Sequence, residues 1–334
     1  MKIFISGAAG FLGSHLADRM LALGHDVVGV DNLIGGSIDN VPDGVDFYQK
    51  DCKFLNSMVK IMAGCDVVYH CACTAYEGLS VFSPHLVVEN TTQITATLLS
   101  AAAQNKVKRF VYCSSMARYG NQKKFPFTED LECTPVDPYG IAKVCAENLV
   151  KNICDTHGIE YVICVPHNIV GPRQKYDDPF RNVLSIMINL MLQKRQPIIY
   201  GDGSQKRCFS YIDDCIFCLE QVGFSKSVNK EVINIGPDEE FISILDLAKK
   251  TAEILNFDLK PIFVPGRPQE VKYATCSAEK ARKLLNYKTS RDLDYSINQI
   301  IYFIKQHGVK KFRYHLDIEI INDKTPITWK NKLF

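Results

Sequence analysis

Apolar residues in the first half of the chain come in short unbroken runs, and each run is followed by a longer stretch with a helical repeat. Ile3-Phe4-Ile5, Val67-Val68-Tyr69, Phe110-Val111-Tyr112-Cys113 and Tyr161-Val162-Ile163-Cys164-Val165 are runs of this kind. They predict strands at 2–6, 26–30, 45–49, 66–70, 108–113 and 160–165, with helices at 11–23, 54–62, 84–104 and 137–157. Strands that are apolar throughout, rather than alternately, belong in a sheet covered on both faces. Alternation of strand and helix makes that sheet parallel. The pattern therefore predicts an α/β fold with a doubly wound parallel sheet.

Beyond residue 166 proline and glycine punctuate the chain, and helices are predicted at 180–193, 212–222, 243–256, 277–285 and 291–306. This reads as a first domain over 1–165 and a smaller α+β domain over 166–320, with the segment near 205–236 returning to the first. A tail, 321–334, carries no motif. The 334 residues carry 39 Lys and Arg against 37 Asp and Glu, a net charge of +2, which removes the electrostatic footprint of a nucleic-acid binder. No window approaches the ~18 apolar residues of a membrane span. The opening Met1–Ser6 strand runs at once into glycines and reads as mature structure rather than a leader. Thirteen cysteines without framework spacing read as buried thiols in a reducing cytoplasm. Cys215 and Cys218, a lone C-x-x-C, read as packing rather than as a metal site, so no metal is expected.

Between the first strand and first helix lies Gly7-Ala8-Ala9-Gly10-Phe11-Leu12-Gly13, a G-x-x-G-x-x-G turn. Glycines there let backbone approach a pyrophosphate held at a helix N-terminus, the signature of a Rossmann-type dinucleotide site. The second strand ends in Asp31-Asn32, 24 residues after Gly7, where a carboxylate accepts hydrogen bonds from ribose hydroxyls and repels a 2′-phosphate. NAD is therefore favoured over NADP. Asp51-Cys52, after the third strand, is placed to meet the adenine.

Asp137-Pro138-Tyr139-Gly140-Ile141-Ala142-Lys143 opens a helix, with Asp137 as N-cap and Pro138 in the first position. Tyr139 and Lys143 then share a face. A free phenol, with a pKa of ~10, is a poor base at neutral pH. One ammonium at ~4 Å supplies roughly the ~4 kcal/mol needed to bring it near 7. The pair therefore reads as a general base toward an alcohol beside a dinucleotide.

With Ser114-Ser115 at a strand end, Asn168–Arg173, Gly201–Arg207 and Pro265-Gly266-Arg267-Pro268, these motifs occur in an order that resembles the extended short-chain dehydrogenase/reductases. The resemblance is to nucleotide-sugar epimerases of the UDP-galactose 4-epimerase type, over roughly residues 1–306. It implies Tyr139 as catalytic base, Lys143 as its modulator and ribose ligand, and Ser115 as the third catalytic member, with Ser114 its neighbour in register. It extends the NAD contacts to Ala72, Ser114 and Pro166, places His70 near the cofactor, and assigns Asn168, Asn182, Arg207 and Arg267 to the nucleotide diphosphate and its sugar.

Within that family, dehydratases and decarboxylases resemble one another in carrying an acid just after the catalytic Ser or Thr. Met116 stands there, and Ala117 replaces the cysteine of 3,5-epimerases. What remains is 4-epimerisation of a UDP-hexose (glucose or galactose, N-acetylglucosamine, glucuronate). An NAD(P)-dependent nucleotide-sugar reductase or dehydrogenase is the runner-up, and a nucleotide-sugar dehydratase ranks behind it. The resemblance also places Ala274 as a gate to the sugar pocket, and leaves Arg173, Lys175 and Arg181 as partners for a sugar carboxylate. A homodimer through helices 84–104 and 139–157, in the cytoplasm, completes the expectation.

Overall fold

The computed structural model describes residues 1–334. Seven parallel strands make the central sheet: β1 (Lys2–Ser6), β2 (Asp26–Asp31), β3 (Asp46–Gln49), β4 (Val67–His70), β5 (Arg109–Cys113), β6 (Glu160–Pro166) and β7 (Glu231–Ile235). Their spatial order is β7-β6-β5-β4-β1-β2-β3, so the chain reverses direction across the sheet between β1 and β4. That reversal is where a doubly wound sheet opens a crevice at the carboxyl ends of its strands.

Strand residues divide between two cores by simple alternation. Phe4, Val28, Val68, Phe110 and Ile163 face one side, against Met58, Leu98, Val150 and Cys154. Ile3, Val27, Val67, Val111 and Val162 face the other, against Leu16, Met20, Leu219 and Leu285. Successive side chains point to opposite faces, so an unbroken apolar run fills both layers. Cys215 and Cys218 belong to the second core, buried on the helix Ile212–Phe224. All thirteen cysteines are free.

Two helices position the site. α1 (Phe11–Ala22) follows β1, and α2 (Pro138–His157) crosses the first core before β6. Asp137 caps α2 by accepting the Gly140 N–H (2.9 Å), with Pro138 next, and Gly158 in the left-handed region stops it. The helix expected at 84–104 is interrupted: Glu89–Gln93 forms a π-helical turn between Pro84–Val88 and Ile94–Gln104. The wider turn places Asn90 on the crevice wall, a position that an unbroken 3.6-residue repeat does not distinguish.

Smaller pieces follow β6. α3 (Val183–Leu192) starts three residues later than its pattern suggests because Asn182 caps it, accepting the Leu184 N–H at 3.0 Å. The strand Lys206–Arg207 is held between Ile242–Ser243 and Tyr273–Ala274. The last residues, which carry no motif, fold back onto the body. Trp329 is 2% exposed, lies edge-on to Phe82 and Phe180, and donates its indole N–H to the Pro179 carbonyl (3.3 Å). No helix is long and apolar enough to cross a membrane.

Candidate active site

One cavity of about 440 Å³ lies along the carboxyl ends of the strands, in the size range of small-molecule sites. At one end is the glycine turn. Gly7 has φ +75°, and a Cβ on it would come within 2.9 Å of the Ala72 amide nitrogen. A Cβ on Gly13 would meet the Gly7 carbonyl oxygen at 2.1 Å. No larger residue closes this turn. α1 begins at Phe11 with Gly10 as cap and no side-chain cap bond, so the first-turn N–H groups of Phe11, Leu12 and Gly13 stand at the cavity wall for an anion.

Asp31, at the end of β2, accepts the Ala9 N–H (3.1 Å) and the Leu33 N–H (2.7 Å), tying the turn to the strand. Burial pushes its carboxyl pKa up; these two donors and the nearby Arg181 pull the other way. Asn32 donates to Asp51 (3.1 Å). Cys52 lies buried beside both acids, and its thiol is pushed far up. Ala72 donates its N–H to Ser6 Oγ (3.2 Å). His70 lies beneath, with Nδ1 on Ser6 Oγ (2.8 Å) and Nε2 on Thr95 Oγ1 (2.9 Å). Both its ring nitrogens are taken, so His70 supports the floor and is neither base nor ligand. A cradle that admits only glycine, open helix N–H groups and a strand-end acid fit a dinucleotide with a free 2′-hydroxyl.

At the middle of the cavity stand the residues of acid–base type. Tyr139 is 6% exposed and Lys143 1%. The Lys143 ammonium donates to the Cys113 carbonyl (2.7 Å) and sits 5.7 Å from the Tyr139 ring centre and 4.9 Å from that of Tyr112. Burial pulls the lysine's pKa down. Cys73, Tyr139 and Cys113 more than offset this, so it stays a cation. For Tyr139 the expectation of a phenol lowered by its lysine needs correction. Burial pushes its pKa up further than Lys143 and Ser115 pull it down.

The choice between the two serines is made by their partners. Ser114 turns inward and donates to Glu147 Oε1, whose other oxygen pairs with Arg118 (3.0 Å). Its hydroxyl is occupied. Ser115 caps the turn Met116–Tyr119, accepting the Ala117 N–H (3.2 Å), and its hydroxyl lies by that of Tyr139.

The far wall comes from the second half of the chain. Asn168 has φ +43° and donates to the Cys208 carbonyl (2.9 Å). Arg207 is braced by the carbonyls of Val271 (2.6 Å), Lys206 (2.8 Å) and Lys272 (3.2 Å). Arg267 pairs with Glu270 (2.6 Å) and stacks over Tyr200, 4.7 Å from the ring centre. Its Nε is buried without an acceptor, a donor left over for a ligand. Asn182 and Pro166 complete this wall, so the residues expected to hold the dinucleotide, the diphosphate and the reacting hydroxyl line one cavity, with His70 beneath it.

Three expectations about the sugar end fail. Ala274 is packed in the core with Tyr119 and Phe127 and does not reach the cavity. Arg173 pairs with Asp18 (2.5 Å) and Lys175 lies by Asp177 (3.9 Å), both off the cavity wall. Arg181 does line it, but stacks on Tyr76 (4.3 Å to the ring centre) and pairs with Asp178 (3.5 Å). A Cβ on Gly35 would meet its Nη2 at 2.4 Å, which puts the guanidinium at the dinucleotide end. Sequence reasoning missed Glu77, Asn90, Tyr200 and Glu270. None has a local spacing signal, because each is brought in by a loop, the π turn or a distant strand.

These features define a class: a Rossmann-type α/β fold with a buried Tyr and Lys one helical turn apart beside a glycine cradle, facing an arginine-bearing wall. A model of the NAD dependent epimerase/dehydratase family matches residues 3–236, and the chain belongs to that family. It is 30% identical over 310 residues to a putative UDP-glucose 4-epimerase of Methanocaldococcus jannaschii, covering 92% of this chain and 99% of that one. Among solved structures it resembles UDP-glucose 4-epimerase of Thermotoga maritima with UDP-glucose (TM-score 0.88, 28% identity, 92% of this chain and 99% of that one). It also resembles UDP-glucuronic acid 4-epimerase of Bacillus cereus with UDP-glucuronic acid and NAD (TM-score 0.86, 32% identity, 92% of this chain and 100% of that one).

Proposed function

We propose that this chain is an NAD-dependent 4-epimerase of a nucleotide-activated hexose. The observation that carries the reading is the sharing of one cavity: Tyr139, Lys143 and Ser115 on one wall, Arg207 and Arg267 on the other, and the glycine turn at the end. The glycine turn and Asp31 would hold NAD, which when bound would accept the C4 hydride and return it. Tyr139 takes the proton of the sugar 4-hydroxyl, steadied by Ser115, while Lys143 holds a positive charge beneath the phenolate. Arg207 and Arg267 grip the diphosphate with bidentate charge-assisted bonds. The 4-keto sugar is then free to turn about its link to that anchor and present its other face. Tyr139 finally returns the proton.

Met116 supports this choice over dehydration and decarboxylation. It packs by Asn168, with Sδ 3.7 Å from Nδ2, and has no proton to move. The test is to incubate the protein, without added cofactor, with a panel of UDP-sugars and resolve the 4-epimers. Epimer formation with no net change in NADH is expected. In a parallel run with added NADH and a 4-keto nucleotide sugar, one-for-one consumption of NADH, with no epimer formed in the first run, would make it a reductase instead.

The same reading includes a homodimer and a cytoplasmic location. Ile141 (54% exposed) and Val88 (42%) lie on the helices that would pair, and the free cysteines suit a reducing compartment. Light scattering on the purified protein tests the first, and fluorescent tagging in the source cell the second.

A further inference from the structure

The sugar end of the cavity carries a charge that the diphosphate and the dinucleotide do not call for. Glu77 lies at the start of the short helix Glu77–Ser80, lines the cavity, and is exposed to it. Its carboxylate has no hydrogen-bond or ion-pair partner at contact distance; burial pushes its pKa up, and the nearby Arg207 and Arg267 pull the other way. The helix itself is pinned on both sides. A Cβ on the next residue, Gly78, would come 3.3 Å from Arg267 Nη1, and Ser80 bonds both the Glu77 carbonyl (2.6 Å) and the Asp137 carboxyl (3.4 Å). Glu77 is thereby held between the arginines of the diphosphate wall and the cap of the helix that carries Tyr139. A sugar hung from that diphosphate and reaching Tyr139 must pass it.

The cations of the cavity are all engaged elsewhere. Lys143 lies under Tyr139 on the Cys113 carbonyl. Arg181 is at the dinucleotide end with Tyr76 and Asp178. Arg267 is paired with Glu270, and Arg207 with backbone carbonyls beside it. Arg207 and Arg267 are the cations that face Glu77, and once they hold the diphosphate no cation of the cavity remains to meet a second carboxylate at the sugar. Like charges sharing a desolvated site repel, whereas a carboxylate readily accepts hydrogen bonds from neutral hydroxyls.

We infer that Glu77 is a specificity-determining residue that selects a neutral hexose and rejects a uronate. The inference rests on the nucleotide-sugar reading above and narrows its substrate. Two carboxylates sharing the cavity at an effective dielectric of ~20 repel by an energy that corresponds to tens of fold in affinity.

The experiment measures binding of UDP, UDP-glucose and UDP-glucuronate to the NAD-loaded protein by calorimetry, with epimerisation of each sugar followed in parallel. UDP-glucose is expected to bind more tightly than UDP-glucuronate by tens of fold. In Glu77→Gln, which removes the charge and no packing, UDP and UDP-glucose are expected to tighten together, and the gap is expected to close because the uronate gains more than either. Equal or tighter binding of the uronate by the unaltered protein overturns the inference, as does a gap that survives in Glu77→Gln or a failure to bind either sugar. Because the readout is binding, a gap that closes while neither sugar is epimerised leaves Glu77 in place and removes the epimerase reading. Epimerisation of both sugars without a gap does the reverse.

Discussion

Replacing Lys143 by methionine isolates the electrostatic part of the site. The ammonium lies 5.7 Å from the Tyr139 ring centre and is almost fully buried. At that distance and an effective dielectric of ~20, it favours the phenolate by about 3 kcal/mol, or roughly two pKa units. The sign is fixed by the chemistry. Tyr139 acts as a base only when deprotonated, so turnover rises with pH through its pKa, and removing the cation moves that rise upward by about two pH units. At neutral pH the rate should fall on the order of a hundredfold, and it should recover toward the original value in alkaline buffer. Stability should fall by about 1–3 kcal/mol as well, because the Cys113 carbonyl loses its donor. The assay is kcat against pH for interconversion of UDP-glucose and UDP-galactose, with NAD saturation checked separately. A rate lowered equally at every pH, with the rise unmoved, would refute an electrostatic role and leave Lys143 as a cofactor contact alone.

Tyr139→Phe should cut turnover by several orders of magnitude and leave UDP and NAD binding intact by calorimetry; near-normal turnover would remove Tyr139 from the reaction. Gly13→Ala should abolish NAD binding, read by fluorescence titration, since its Cβ has no room beside the Gly7 carbonyl. Trp329→Ala should cost about 3–5 kcal/mol in chemical unfolding, as for a buried aromatic. Asp137 is pushed up to about 7, by burial first and then by Glu77, with the Gly140 N–H opposing. Its carboxyl is therefore protonated on folding at mildly acidic pH. The unfolded chain holds fewer protons between about pH 4 and 7, so Asp137 makes stability decline with rising pH across that window. Asp137→Asn should flatten this part of the urea-unfolding profile.

The parts of this molecule that were legible without coordinates are those set by local spacing. The apolar runs reveal the inner strands of the sheet, because a strand buried on both faces tolerates few polar positions, while the edge strand Asp46–Gln49 is half exposed and shows itself by its place in the alternation. The glycine turn is readable because its backbone conformation excludes any side chain. Tyr139 and Lys143 are readable because four residues make one helical turn, and Asp137 because an N-cap sits one residue before the helix. The tertiary structure alone decided everything that depends on what lies opposite. Ser114 and Ser115 are identical in sequence context, and only Glu147, 33 residues on, separates their roles. Arg181 moves from the sugar to the dinucleotide end because Tyr76 and Asp178 hold it there, and Ala274 leaves the site because its strand pairs with Lys206–Arg207 in the core. Trp329 and Glu77 acquire meaning through residues more than a hundred positions away. Propensity and periodicity act over a few residues, whereas a site is made where distant segments bury one another, and no short-range pattern records that encounter.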